Sequence, residues 1–565
     1  MGIEGRRKGA GLRGRPSRQM PAVPAAAAPG PWWASARGAG ALVAVVVALV
    51  FARSLGNGFT YDEPLVLVQA QTFLKTADFG ALFSRDYFAA SLEGTWRPFC
   101  TLTYMLDAMV AFSPATFKAS SILWHVGTAW LVMALVRRLL PEGKGRFALV
   151  AGLIFAVHPV TTETVDNASF REDTLVTFWT LATLLLALSE RPLRALVAFA
   201  LGLLSKESAV VAPVLLAILR LGGPHAYRRP GRSVVRELAP FAVVLAVYLS
   251  IRFGPMSTAG QYAAYPGGTL AKTLAAMPLV WAHDLKLLVW PWPLLADYTG
   301  YFPFGRVTVG QVLPALAAVL GFVAAIAFAA RRKQVTIAFG LGWFALALGP
   351  VSNFIPVPVP AAERFLMLPL VGIAIAAAAG AATLFERAPL ERRRALLVAG
   401  VAVLIVYAAL VNVRHEAWRD DEALWKDTVA VNPRACGAQS AVGGTLLSRG
   451  MEQRSPELLR DAAAHQRLAL SQCSDASDEA RAAIIYTRLG AAEAMLGDVP
   501  KARAALERAL ALRPAYALAV VWMGYVEYLS DDEDAAAKLL KHAIIDLGPP
   551  DSTVAAVARL YVDKL

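Results

Sequence analysis

The sequence predicts an all-α fold, a polytopic bundle of membrane helices followed by a water-soluble α-solenoid of helical repeats. Hydrophobic residues make up 57% of the 565 residues and charged residues only 17%, whereas soluble proteins have roughly 25% charged residues. Long apolar runs recur as far as residue 412, and a 34-residue repeat follows them. Together these observations exclude a disordered chain, a collagen-like chain and an ordinary soluble enzyme.

The chain begins with a basic tail and one apolar run. Residues 1–36 are rich in Ala, Pro, Gly and Arg, and we expect them to form a disordered cytoplasmic tail. Residues 38–55 are long and apolar enough for a first membrane span that is not cleaved. Because basic flanks stay on the cytoplasmic side of a membrane, the tail places the N-terminus inside.

Further apolar segments bring the expected total to about eleven spans, since a spanning helix needs about 20 apolar residues. Two of these segments are too short and flank Ser205-Lys206-Glu207. We interpret them as half-helices that form a hairpin with this polar tripeptide at its turn. The segments are 118–140, 147–165, 172–189, 193–204, 208–220, 236–252, 310–330, 335–352, 363–384 and 393–412.

The distribution of Lys and Arg supports this topology. The net charge is +13, and the basic clusters fall in alternate loops if 193–220 is a hairpin and 271–291 does not cross. The latter segment carries His283, Asp284 and Lys286, so it suits a re-entrant or interfacial helix. We therefore expect an integral protein of a bacterial inner membrane, with residues 413–565 periplasmic or extracellular.

The loops on the outer face carry the polar residues that suggest function. Charged residues at membrane depth are costly and are usually functional, although helix capping or salt bridges would explain any single one. Their convergence on one face favours a site. The residues are Asp62, Glu63, Arg97, His158, Glu163, Asp166, Arg171, Asp173, Lys206, Glu207, Glu363 and Arg364.

Residues 413–565 have the composition of helical repeats. The spacing of a tetratricopeptide repeat occurs around Gly490 and recurs 34 residues later around Gly524. With a half-repeat at 422–433 and a degenerate repeat at 443–470, we expect about three helix pairs. The repeats could bind peptides or serve as a rigid cap, and the sequence leaves both open. Outside the cytoplasm Cys436 and Cys473 could form a disulfide.

The first outer loop, residues 57–117, carries the strongest chemical signal. Asp62 and Glu63 directly follow the first span, and paired carboxylates there suit a general base or a metal site. An amphipathic stretch follows at 65–90, and Thr95-Trp96-Arg97-Pro98-Phe99 opens a short helix that reaches about residue 113. The three cysteines form no CxxC motif, so the sequence supports no zinc or iron–sulfur site.

The order of these motifs resembles that of the GT-C integral-membrane glycosyltransferases. Further motifs narrow the resemblance to the transmembrane and tetratricopeptide-repeat (TMTC-like) O-mannosyltransferases and their bacterial relatives, over about residues 38–550. The matching motifs are Asp62-Glu63, Trp96-Arg97-Pro98, His158-Pro159-Val160-Thr161-Thr162-Glu163, Arg171-Glu172-Asp173, Ser205-Lys206-Glu207, Leu294-Leu295-Ala296-Asp297-Tyr298, Ser352-Asn353-Phe354-Ile355-Pro356, Glu363-Arg364-Phe365 and Trp418-Arg419-Asp420-Asp421.

The resemblance implies transfer of mannose or another hexose from a polyprenyl-phosphate donor to an acceptor hydroxyl, often of protein Ser or Thr, on the outer face. Asp62 lies where the family has its catalytic acid pair, so we expect it to be the base. Glu63 would position the acceptor or share the proton, although family members have Asp at this position.

The leaving phosphate of such a donor needs cations in a dry setting. We expect Arg171, Lys206 and Arg364 to bind it, with Arg97 and His158 in reserve. The other polar residues of the site on the outer face are Glu163, Asp173, Glu207 and Glu363.

Other classes of function remain to be weighed. A non-enzymatic membrane scaffold, which would use the repeats to gather envelope proteins, would need neither the acid pair nor the cations. A transporter would show internal symmetry, and nucleic-acid binding would need a basic aromatic face; the sequence has neither. The expected partners are the membrane, a lipid-linked sugar donor and a protein or peptide acceptor. No cofactor is firmly implied, and a divalent metal is unsupported.

Overall fold

The fold is described from a computed structural model, which defines residues 1–2, 35–257, 264–357, 359–473 and 479–547. Within these ranges the chain is helical and contains no β-strand, which confirms the predicted fold class. Residues 3–34 of the predicted cytoplasmic tail lie outside the described residues.

The first part of the chain has a helix at every segment that the sequence predicts to span a membrane. Within the described ranges, six helices are long and apolar enough to cross, or seven if one bent pair counts as a span. The total of eleven stays a prediction. The helices are α1 (Ala36–Phe51), α2 (Gln71–Thr76), α3 (Asp86–Ser91), α4 (Pro98–Val110), α5 (Pro114–Leu139), α6 (Ala148–Val157), α7 (Thr162–Asp166), α8 (Arg171–Leu188), α9 (Pro192–Ser205), α10 (Val211–Gly222), α11 (Gly231–Phe253), α12 (Leu270–Val289), α13 (Val309–Arg331), α14 (Val335–Leu348), α15 (Met367–Arg387) and α16 (Leu390–Ala417).

The predicted span at 147–165 is broken rather than straight. α6 ends at Val157, and the axis bends by 53° before α7. Pro159 explains the break, because a proline lacks a backbone N–H and forces the residue before it into an extended conformation. His158 has that conformation, with φ −71° and ψ 127°.

The predicted hairpin at 193–220 is present. After α9, Lys206 Nζ lies 2.5 Å from Asp173 Oδ2 at the first turn of α8. Near the end of α10, Arg220 donates to the carbonyl of Ala187 at the last turn of α8 (3.1 Å). Helix α9 therefore runs back along α8, and α10 runs forward along it again. The polar tripeptide 205–207 lies at the turn between α9 and α10.

Helix α12 covers the segment predicted to be re-entrant or interfacial. Its last turn packs beside the bend of α6 and α7, where a ring nitrogen of His158 lies 3.2 Å from the carbonyl oxygen of Leu288. From α16, the Tyr407 hydroxyl donates to the carbonyl of Val289 (3.0 Å). These contacts fix the C-terminal end of α12; its relation to the membrane stays a prediction.

The repeat domain consists of a leading helix and three helix pairs in the described residues, as predicted. A Cβ atom on Gly490 would lie 2.6 Å from Leu506, and one on Gly524 would lie 2.9 Å from Leu540, so the 34-residue period reflects equivalent close packing in consecutive pairs. The helices are α17 (Asp421–Val431), α18 (Cys436–Gln453), α19 (Pro456–Gln472), α20 (Glu479–Met495), α21 (Val499–Leu512), α22 (Ala517–Leu529) and α23 (Glu533–His542).

A disulfide closes the first helix pair. Cys436 at the start of α18 is bonded to Cys473, the residue after α19, with the two Cα atoms 5.8 Å apart. The predicted pairing is therefore confirmed. The remaining cysteine, Cys100, is buried in α4 with a free thiol.

Helix α16 joins the two parts of the chain without interruption. Its last turns carry Arg414 and His415, both buried. A ring nitrogen of His415 lies 2.5 Å from Asp166 Oδ2 in α7, and Arg414 donates to Asp427 of α17 (2.7 Å). The helix that leaves the membrane bundle is thus bonded both to that bundle and to the first helix of the repeat domain.

Candidate active site

Asp62 lies in a tight turn that follows α1. Its neighbour Tyr61 has φ 58°, a left-handed conformation that is rare and strained for a bulky residue. The Tyr61 ring packs 5.1 Å from Phe170 and 5.0 Å from Trp425, centroid to centroid. The Tyr61 N–H donates to Asp421 Oδ1 of the repeat domain (2.8 Å). Both parts of the chain therefore hold the turn that presents Asp62.

Glu63 anchors the same turn from beneath. It is fully buried, and its carboxylate accepts the N–H groups of Thr60 (2.8 Å) and Ala168 (2.7 Å). Lys118 Nζ lies 3.7 Å from the same group. Burial raises the pKa of Glu63, and Lys118 opposes that shift. Since both carboxylate oxygens have protein partners, Glu63 fixes the turn and does not face an acceptor.

The Asp62 side chain is exposed, although protein atoms surround the rest of the turn. Desolvation is the largest cause that raises the pKa of Asp62, to about 6. Arg364 opposes the shift, whereas the carboxylates of Glu172, Glu163 and Asp421 add to it. Asp62 is therefore a water-accessible carboxylate whose proton affinity is raised towards neutral pH.

A network of ion pairs lies beside Asp62, and we call it the polar cluster. Arg97 donates to Glu172 (2.7 Å) and lies 3.7 Å from Glu207. Lys206 lies 2.5 Å from Asp173 and 3.7 Å from Glu172. These contacts join the first outer loop, α8 and the turn of the α9–α10 hairpin.

Two further cations complete the polar cluster. Arg252, at the end of α11, donates to Glu207 (2.8 Å). The Arg364 side chain pairs with Glu163, and its backbone N–H also donates to that carboxylate (2.6 Å). The Arg364 guanidinium stacks 4.0 Å from the centre of the Phe170 ring, which links it to Tyr61.

The side chains of the polar cluster differ in their exposure. The side chains of Glu207 and Arg97 are 39% and 19% exposed, against 7% for Lys206 and 9% for Arg364. Arg97 Nε is buried and has no hydrogen-bond partner in the described structure. Arg97 is therefore the most exposed cation of the cluster.

Glu93 lies near the charged groups of Arg97, Glu172 and Asp62 and is half-buried. Desolvation raises its pKa to about 8, with the charges of Glu172 and Asp62 adding to the shift and Arg97 opposing it. Protonation of Glu93 is therefore favoured relative to an ordinary glutamate, and the protonated form adds no negative charge beside the polar cluster.

Three predicted site residues lie outside the polar cluster. Arg171 is fully buried, and its guanidinium bonds to Ser121, Thr103, Phe117 and Asp107 at 2.7–3.1 Å, so it joins α4, α5 and α8. His158 is buried, with its ring nitrogens directed at Leu288 and Val160.

Glu363 accepts from the Leu295 N–H and the Tyr298 hydroxyl and lies 3.7 Å from Arg414. It therefore holds the 294–298 loop against α16. In this structure Arg171, His158 and Glu363 fasten helices and loops together instead of facing a substrate.

Sequence reasoning missed several members of the site. Glu172 lies inside the Arg171-Glu172-Asp173 motif, in which only Arg171 and Asp173 are predicted site residues. Arg252 is the one charged residue of α11 after Glu237, and such intramembrane charges are by default functional candidates. Asp421 belongs to a matching motif, but its contact with Tyr61 spans 360 positions. Nothing in the sequence marks Glu93 as a site residue except its position just before the segment Thr95-Trp96-Arg97-Pro98-Phe99.

No group of three or more His, Cys, Asp or Glu side chains in the described ranges is placed to hold a metal ion. The carboxylates of the polar cluster face Arg and Lys side chains instead.

Comparison with known proteins supports a glycosyltransferase. Residues 102–252 match the family model described as dolichyl-phosphate-mannose-protein mannosyltransferase. The chain is 24% identical to protein O-mannosyl-transferase TMTC4 of Mus musculus over 501 residues and 23% identical to protein O-mannosyl-transferase Tmtc1 of Drosophila melanogaster over 536 residues. This chain is similar to the protein O-mannosyl-transferases. The resemblance drawn from the motifs is thereby confirmed.

The two alignments cover 74% of this chain, and 65% and 60% of the respective relatives. The chain thus spans somewhat less than two thirds of the length of these protein O-mannosyl-transferases. No solved structure matches it. The segment matched by the family model contains most of the polar cluster, from α8 to Arg252.

Proposed function

We propose that this protein transfers mannose or another hexose from a polyprenyl-phosphate donor to a Ser or Thr hydroxyl of a polypeptide on the outer face of the membrane. The observation that carries the proposal is Asp62, an exposed carboxyl with a raised pKa at the edge of the polar cluster, in which Arg97 is the most exposed cation. The named activity of the homologues supports it.

In the proposed step the acceptor oxygen attacks the anomeric carbon of the donor sugar. The bond between that carbon and the phosphate oxygen breaks, and its electron pair leaves with the lipid phosphate. The acceptor proton goes to the Asp62 carboxylate, so the step needs no further reactant. A base is most efficient when its pKa lies near the working pH, and the raised pKa of Asp62 meets that condition.

The lipid phosphate is assigned to Arg97. A guanidinium binds phosphate oxygens through paired N–H donors, and Arg97 is partly exposed with a buried Nε that lacks a partner. Lys206 and Arg364 are less exposed and form ion pairs with Asp173 and Glu163, respectively. They therefore stabilise the buried part of the site. This replaces the expected assignment, in which Arg171, Lys206 and Arg364 bind the phosphate and Arg97 and His158 are in reserve.

The acceptor polypeptide is expected to approach between Asp62 and the repeat domain. The Tyr61 and Trp425 rings, one from each part of the chain, lie side by side next to the catalytic carboxyl. Aromatic side chains bind polypeptide segments through large apolar faces. A repeat domain fixed against the site would thus guide an extended segment to Asp62.

The pH dependence of transfer is expected to follow Asp62. Only the deprotonated carboxyl can accept the acceptor proton, so kcat/KM should fall as the pH drops through about 6 and level off above it. The measurement is the initial rate at low substrate concentration between acid and neutral pH. A fall in kcat/KM centred near the ordinary aspartate pKa of about 4 would contradict the assignment of Asp62 as the base.

Arg97→Lys should weaken donor use. Lysine keeps the charge but loses the planar pair of N–H donors, so we expect the donor KM to rise about tenfold with a smaller change in kcat. Arg85→Lys is the matched control, because Arg85 lies on the same loop, is exposed and, among the described residues, donates only to the Ser257 carbonyl. Equal effects of both variants would remove Arg97 from the donor site.

The direct test is a transfer assay with the full-length protein in liposomes. A panel of polyprenyl-phosphate sugars is offered together with a Ser/Thr-rich polypeptide, and sugar on the polypeptide is measured. Transfer from one lipid donor, and none from the matching nucleotide sugar, is expected. Transfer that needs no lipid-linked donor would overturn the proposal.

A further inference from the structure

A second polar region lies at the opposite end of the helix bundle. Lys118, near the start of α5, contacts Glu63 below the candidate site. Arg137 and Arg138 lie in the last turn of the same helix, about 28 Å further along by helical rise. There a cavity of about 910 Å³ opens between α5, α14, α15 and the loops that follow α5 and α10.

Cations dominate the charge that lines this cavity. Arg137, Arg138, Lys333 and Arg387 line it and form no ion pair in the described ranges, whereas Lys144 pairs with Glu386 (2.6 Å). Unpaired cations around an open cavity attract a compact anion, and phosphate oxygens match the guanidinium groups of arginine.

Part of the remaining wall is apolar and comes from the ends of membrane helices, beside the polar side chains of Gln334, Thr336 and Thr383. Leu139 and Leu140 contribute from α5 and the residue after it, Val335 and Ile337 from α14, and Ala379 and Ala382 from α15. A cationic opening over an apolar wall suits an amphiphile, with its phosphate among the Arg and Lys side chains and its first methylene groups against the helices.

We infer that this cavity binds the phosphate group in the headgroup of an anionic phospholipid. The inference does not rest on the proposed transfer reaction, because the cavity shares no residue with the polar cluster. Basic residues near the cavity do not all line it, since Arg331, the last residue of α13, and Arg332 directly precede Lys333 and lie outside the cavity.

The test uses native mass spectrometry of the full-length protein in detergent. Dioleoyl-phosphatidylglycerol and dioleoyl-phosphatidylcholine are titrated separately onto wild type and onto K333Q/R387Q. We expect wild type to retain phosphatidylglycerol preferentially, and the double variant to bind it at least about tenfold more weakly. R331Q/R332Q is the matched control, because it removes the same charge from residues that do not line the cavity.

A second variant keeps the test independent of charge. Thr383 lines the cavity and is half-buried, so Thr383→Phe should fill part of the volume and also weaken phosphatidylglycerol binding. The inference is overturned if K333Q/R387Q binds like wild type, or if R331Q/R332Q loses as much affinity. Displacement of the lipid by millimolar inorganic phosphate would assign the site to free phosphate, and retention would assign it to the phospholipid.

Discussion

Asp62→Asn should reduce transfer by about 10³-fold while leaving insertion and folding intact. Asparagine has nearly the same shape but cannot take the acceptor proton, and general-base catalysis contributes roughly 10²–10⁴-fold. The Asp62 side chain is exposed, so the substitution leaves no buried group without a partner. The measurement is the initial transfer rate in liposomes, with thermal unfolding as the check on the fold.

Asp86→Asn is a matched control for this variant. Asp86 lies on the same outer loop, is exposed and shows no contact with the polar cluster, so transfer should stay within about twofold of wild type. A wild-type rate from Asp62→Asn would end the assignment of Asp62. If Asp62→Asn and Asp86→Asn both retained full function in cells, while deletion of residues 436–565, which keeps α16 and α17, abolished it, a non-enzymatic scaffold would be favoured.

Asp421→Ala should lower kcat by about ten- to a hundredfold. Asp421 accepts the N–H of Tyr61, the residue with the left-handed conformation beside Asp62. A strained residue persists only while its surroundings hold it, and a lost hydrogen bond of this kind costs about 1–3 kcal/mol. Without that bond the turn relaxes, and Asp62 no longer occupies one position. The measurement is kcat at saturating donor and acceptor.

Asp421→Asn separates the hydrogen bond from the charge. Its side-chain oxygen can still accept the Tyr61 N–H, so most of kcat should return. Removal of the negative charge at this position should move the acid limb of the pH profile to lower pH in both variants, because Asp421 contributes to the raised pKa of Asp62. This shift is a result that a purely structural role would not produce.

Asp420→Asn is the control for the neighbouring position. Asp420 caps α17 through the N–H of Ala423 (2.8 Å), and asparagine caps a helix equally well. Transfer should therefore remain near the wild-type rate. If Asp421→Ala matched wild type as well, the contact between the repeat domain and the Tyr61 turn would have no role in catalysis.

The sequence predicts the helical elements well because their signals are local. Apolar length marks the helices of the bundle, and the 34-residue period marks equivalent positions such as Gly490 and Gly524. The break before Pro159 also has a local cause, although the sequence alone does not show that the axis bends by 53°.

The candidate site could be predicted only in part, because residue type does not reveal a side chain's direction or its partners. Arg97 and Arg171 look equivalent in sequence, yet one is partly exposed in the polar cluster and the other is buried between helices. Asp62 and Glu63 are adjacent, yet one side chain is exposed and the other accepts two backbone N–H groups below the turn. These differences depend on contacts between distant segments.

The continuity of α16 has a practical consequence for dissecting the protein. A truncation after residue 412 would remove Arg414 and His415, and thereby leave the buried carboxylates of Glu363 and Asp166 without their cationic and imidazole partners. Loss of one partner from a buried pair typically costs about 3–5 kcal/mol. Expression of the membrane part alone should therefore use a fragment that extends beyond Ala417, and an inactive shorter fragment would say nothing about the repeats.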